Sequence, residues 1–167
     1  MRLAIVTLLV ALLLPLAAGA EEPLGFRDVP WGASEETLRD RIPTEYCDAG
    51  DPDTDYGTRH CRARSDITFG DVRPTSVDFY FRDNRLVAWQ VAASPRFRVT
   101  LANALTVKYG KPSVVYDGDH IIWRGQVADL DFIGGRTQDL IVAITKAELA
   151  SHETEGQARA RRAARGF

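Results

Sequence analysis

From Val77 to Arg82 the chain alternates. Val77, Phe79 and Phe81 are apolar, while Asp78, Tyr80 and Arg82 carry polar atoms. A period of two marks a strand with one buried face. Asp83-Asn84 follows, and both residues tolerate positive φ, so a two-residue turn returns the chain through residues 85–92. That turn sets Arg82 opposite Arg85, Phe81 opposite Leu86, Phe79 opposite Ala88, and Asp78 opposite Trp89. The core face then takes Val77, Phe79, Phe81, Leu86 and Ala88. The other face takes Tyr80, Val87, Trp89 and Val91.

Helical patterns precede and follow this hairpin. Ser34 is a good N-cap, Glu35 and Glu36 suit the positive end of the helix dipole, Leu38 and Ile42 share a face, and Pro43 stops the run. In "SPRFRVTLANALTVKYGKP", Ser94 caps, Pro95 suits the first turn, and Phe97, Leu101, Ala104 and Leu105 keep helical spacing up to Gly110 and Pro112. Residues 44–64 read as a polar loop and Ile67-Thr68-Phe69 as a short strand. A hairpin turns at Gly118-Asp119. "VADLDFI" and "DLIVAITK" alternate as further strands. The order is helix, three strands, helix, then three or four strands. Thr37, Leu38 and Ile42 align with Thr100, Leu101 and Leu105 at one constant offset. The expected fold is α+β: an antiparallel sheet with two short helices on one face, built as a tandem helix–strand–strand–strand repeat.

The ends read differently. A short positive start, an apolar run from Leu3 to Ala18 and the small residues Ala18-Gly19-Ala20 predict a signal peptide over residues 1–20. A single domain over 21–147 follows, with related halves at about 21–92 and 93–147. Residues 148–167 are rich in alanine, glutamate and arginine and lack an apolar stripe. They predict a frayed helix or disorder, with Arg159, Arg161, Arg162 and Arg165 making a basic end.

Composition narrows the function classes. Hydrophobic residues make up 45% and charged residues 26% of the 167 residues, as in a globular domain, and the net charge is −2. That balance argues against nucleic acid as a partner, since phosphate binding rests on a clustered positive field. No apolar run after residue 20 is long enough to span a bilayer. The two cysteines, Cys47 and Cys61, lie in the exported part and predict one disulfide.

The stretches "VPWGASEETLRDRIP" and "ALTVKYGKP" resemble a group of small exported bacterial proteins of uncharacterised function. Trp31, Gly32, Ser34, Glu35 and Glu36 match that group's start to its first helix, and Tyr109, Gly110, Lys111 and Pro112 its stop to the second. The repeat order is similar to β-lactamase-inhibitor-protein-like domains and to outer-membrane assembly lipoproteins of the SmpA/OmlA type. The resemblance implies an α+β fold, an exported location and binding rather than catalysis. It transfers no functional residue, and the chain lacks the lipoprotein members' attachment cysteine.

Between the cysteines, Asp51, Asp53 and Asp55 alternate as in a calcium loop, but Tyr56 stands where glycine is needed and Arg62 where the bidentate glutamate belongs. The favoured reading is a solvated loop closed by the disulfide. Asp129 and Asp131 alternate along a strand, as a solvent face does. No cofactor, metal or catalytic residue is assigned. The binding residues expected are Tyr80, Trp89, Arg82, Arg85 and Trp123, aromatics rimmed by arginine as at interface hot spots. The expected function is a non-catalytic binding or accessory protein of the bacterial envelope, periplasmic or secreted, meeting another envelope protein through an open sheet face. The alternative is an inhibitor of an extracellular enzyme, followed by a small hydrolase or a calcium-dependent module.

Overall fold

The computed structural model describes residues 22–50 and 56–164, with side chains described through Gln157. The segment 1–20 and the aspartates Asp51, Asp53 and Asp55 lie outside the described residues, as do the side chains of the C-terminal arginines.

A two-stranded ribbon comes first, β1 (Gly25–Phe26) with β2 (Val29–Pro30). Helix α1 (Glu35–Arg41) is capped as expected, the Thr37 amide donating to Ser34 Oγ at 3.1 Å. Where a polar loop was expected, the chain forms β3 (Thr44–Ala49) and β4 (Arg59–Ala63). They pair antiparallel with Cys47 directly opposite Cys61, and the two sulfurs are bonded. No residue of β3 is buried, so no apolar period announces it. The strand expected at 67–69 is reduced to one bridge, Phe69 with Val72.

The hairpin joins β5 (Ser76–Arg82) to β6 (Arg85–Ala93). Its turn is as expected, with Asp83 and Asn84 at φ 51° and 57°. Its register is not. Phe81 faces Leu86, but the ladder then shifts, so that Tyr80 faces Ala88 and Phe79 faces Trp89. Val87 is the extra residue of a β-bulge. Because side chains alternate with period two, one inserted residue moves every later side chain of β6 to the opposite face. Trp89 and Val91 therefore join Phe79 and Val77 in the core, and Ala88 joins Tyr80 outside it.

Ser94 caps through its backbone, not its side chain: its carbonyl accepts from the Phe97 amide at 3.0 Å, closing a 3₁₀ turn over Pro95–Phe97. Helix α2 (Arg98–Tyr109) follows and ends at Gly110, whose φ of 76° suits a residue without a Cβ. Then come β7 (Val114–Tyr116), β8 (His120–Arg124), β9 (Ala128–Ile133), β10 (Asp139–Thr145) and helix α3 (Lys146–Ala164). Of the segment expected as a frayed helix or disordered tail, residues 148–164 are helical, and the first turns are packed: Glu148 is buried and Leu149 rests on neighbouring apolar groups.

All eight strands beyond the ribbon form one antiparallel sheet, ordered β3-β4-β5-β6-β10-β9-β8-β7. The chain order of one helix then four strands occurs twice, and the two meanders meet along β6 and β10. The largest buried cluster takes Leu38 and Ile42 from the end of α1, Leu101 and Tyr109 from α2, and Phe79, Trp89, Leu130 and Ile141 from the sheet. Phe26 ties the N-terminal ribbon to it, with its ring edge-on to Phe69, Phe79 and Trp89 at 5.0–5.7 Å. A second, smaller cluster holds Tyr80, Ala88 and Ile144 beneath Tyr56 and Leu149.

Candidate functional site

The five expected binding residues do not form one exposed surface. Trp89 is 3% exposed and donates its indole N–H to the Gly25 carbonyl at 3.0 Å. Trp123 is 4% exposed and donates to the Gly110 carbonyl at 2.8 Å. Tyr80, at 6%, stacks on His60 with ring centroids 5.2 Å apart. The proposed docking face therefore has no exposed aromatics at these positions. The physical cause is twofold: the Val87 bulge turns Trp89 inward, and Tyr56 and α3 cover Tyr80. Arg82 is also committed. It grips Glu148 through two nitrogens at 2.7 and 2.9 Å and reaches Glu155 at 3.0 Å. Arg85 alone of the five is exposed, beside Arg82 across the turn.

Polar chemistry concentrates on the face of Tyr80. Asp78 is 2% exposed and takes hydrogen bonds from Arg62 Nε and Ser76 Oγ, each at 2.8 Å, with His60 Nε2 2.9 Å away. Burial pushes the Asp78 carboxyl upward, but its hydrogen bonds from His60, Arg62 and Ser76 outweigh burial and hold it below the usual range. An acid so fully engaged is structural. Of the alternating pair, Asp131 lies 3.3 Å from His120, and burial raises its pKa against the pull of that histidine. Asp129 Oδ1 makes no hydrogen bond and faces Lys146 Nζ at 3.4 Å. Each is tied to a basic group of its own, which does not suit paired acid–base work. Among the described residues, the one ligand group close enough for a metal is Glu35, Cys47 and Cys61. Both of those sulfurs are in the disulfide, so no thiolate is available.

The concave apolar feature lies on the other side of the sheet. Trp89 on β6 and Ile141 on β10 floor a cleft of about 350 Å³, directly over the line where the meanders meet. One wall is α2, through Leu101, Ala104, Leu105 and Lys108; the other is the Phe69–Val72 turn. The cleft exists because α2 reaches the core through Leu101 and Tyr109 while Ala104 and Lys108 stay exposed. A second cavity of about 270 Å³ shares Phe69, Trp89, Lys108 and Tyr109 with it and runs on to Phe26 and Arg27. This size and lining suit a small apolar ligand or a single apolar group of a larger one.

Of the cleft residues, sequence reasoning singled out Trp89 for binding, on the wrong face, and placed Leu101, Ala104 and Leu105 on one helix stripe. It missed Phe69, Val72, Lys108 and Ile141. The stripe was the available signal; what the stripe would leave uncovered depends on how far α2 stands from the turn at 69–72. No family model, curated protein or solved structure matches the chain.

Proposed function

We propose that this chain is a non-catalytic binding or accessory protein of the bacterial envelope, and that it takes its ligand in the cleft between α2 and the Phe69–Val72 turn. The observation that carries this reading is the apolar cavity of about 350 Å³ floored by Trp89 and Ile141. A folded domain normally fills such space, because an unfilled apolar volume forfeits packing. The export half of the reading draws on the Cys47–Cys61 disulfide, which fits an oxidising compartment. In addition, no helix among the described residues is long and apolar enough to cross a membrane. The halves 21–92 and 93–147 are read as related units, with α1 and α2 over the same sheet face. The repeated order of helix then four strands and the shared buried cluster support this.

The test is titration with a neutral apolar fluorophore against the exported chain and an Ala104→Phe variant. Ala104 is exposed yet lines the cleft, so a phenyl ring there occupies the cavity without disturbing the core. The expected outcome is saturable binding to the parent, at least tenfold weaker in the variant, with an unchanged melting temperature. Equal binding by both would place the fluorophore elsewhere and overturn the reading.

A further inference from the structure

The cleft's lining and rim select a chemical class of occupant, an inference that rests on reading the cleft as the binding site. Its lining is mostly hydrocarbon and aromatic ring, with the Thr100 hydroxyl as a neutral polar group on the α2 side, and the one indole donor on the floor, Trp89 Nε1, is already taken by the Gly25 carbonyl. An extended peptide would bring an N–H and a C=O at every residue and find few partners for them there, and each unpaired group costs free energy. An alkyl chain brings none. The rim is charged, and asymmetrically so. Lys108 lines both cavities, its ammonium 5.4 Å from the Tyr109 ring centroid. Arg27 lines the second, its guanidinium 5.9 Å from the Phe69 ring centroid and bonded to the Thr68 carbonyl. Asp71 also lines the first. The cleft itself carries Lys108 and Asp71, and the adjoining cavity adds Arg27, so that the two together hold two cations against one carboxylate, and neither cation is in an ion pair among the described residues.

We propose that the occupant is a single-chain anionic amphiphile, its alkyl chain lying on Trp89 and Ile141 and its head group beside Lys108 and Arg27. The cleft encloses the chain and leaves the head in water, the arrangement that costs such a molecule least. Lysine holds an anionic head as a point charge without a fixed geometry, so the site reads the head's charge more than its identity.

The experiment is calorimetric titration of the exported chain with sodium alkyl sulfates of eight, ten and twelve carbons, below their micelle concentrations. Neutral alkyl maltosides of the same lengths serve as the comparison. Affinity is expected to rise about tenfold for each pair of methylenes until the cleft is full. It should also be several-fold higher for the sulfates at low salt, and fall at least fivefold for sulfates, but not maltosides, in Lys108→Glu. Ala104→Phe should weaken both series. Affinity independent of chain length, or equal for sulfates and maltosides, overturns the proposal. So does an apolar peptide that binds in an Ala104-sensitive manner when the alkyl series does not, although the cleft reading then survives. If the neutral fluorophore and every alkyl ligand fail to bind, the cleft reading fails as well.

Discussion

On one face of β5, Phe79 and Phe81 are fully buried among other hydrocarbon groups; on the other, Asp78 is 2% exposed and held by His60, Arg62 and Ser76. Adjacent residues of one strand reach equal burial by different means. The face of Phe79 is secured by volume, which is shared among many contacts. The face of Asp78 and Arg82 carries a smaller apolar cluster and is secured largely by a few polar atoms with specific partners. Volume yields gradually when perturbed, whereas a buried charge that loses its partner does not.

The contrast can be broken from either side. The largest effect is expected from Phe79→Ala, which removes a ring from the centre of the core and should cost about 4 kcal/mol in urea unfolding. A loss near that of a surface substitution would mean that this face is not the core. Glu148→Ala comes next. It leaves Arg82 with Glu155 as its one carboxylate partner and frees the Gly57 amide, which Glu148 accepts from at 2.8 Å, and should cost about 3 kcal/mol. Hydrogen exchange should show α3 opening ahead of the sheet; an α3 as protected as before would show that Leu149 and Tyr56, not the carboxylate, hold the helix.

Acidification sharpens the comparison further. The folded Asp78 lies below its usual 3.8, so its contribution is present above that value and is lost as pH falls through the folded pKa. The parent's unfolding midpoint should drop more between pH 4.5 and pH 2.5 than that of Asp78→Asn. Parallel curves would remove Asp78 from the account. The smallest effect is expected for Arg39→Ala. Its ion pair with Glu35, at 3.5 Å, leaves Arg39 half exposed, and its loss should change stability by less than about 0.5 kcal/mol. A loss as large as that of Glu148→Ala would erase the distinction between buried and exposed pairs.

Local chemistry made parts of this fold legible. Ser34 before two glutamates, Asp83-Asn84 between alternating runs, and Gly110 before Pro112 each act within four residues, and each is where it was expected. The disulfide was legible from the even cysteine count together with the expectation of export. What the sequence hid was set by partners far along the chain. The bulge at Val87 answers to β5 and β10 together, and the residue it displaces is the tryptophan on which the binding surface was built. β3 carries no apolar period because Cys47 alone of its residues packs against the core. α3 lacks a stripe because a carboxylate, one leucine and a histidine against Tyr56 do its anchoring. The cleft is a spacing between elements, which no single residue encodes.

The order of strands has a consequence for self-association. Two meanders that share their last strands at the centre leave their first strands as the sheet's open borders, β3 on one side and β7 on the other. Unpaired strand borders invite neighbouring molecules to add strands of their own. Here one border is only three residues long, and the other carries Glu45 and Asp48, an irregular register near Thr44 and a covalent tie to the strand behind it. Both outermost strands therefore offer an incoming strand little to pair with, although the strands between them are largely apolar.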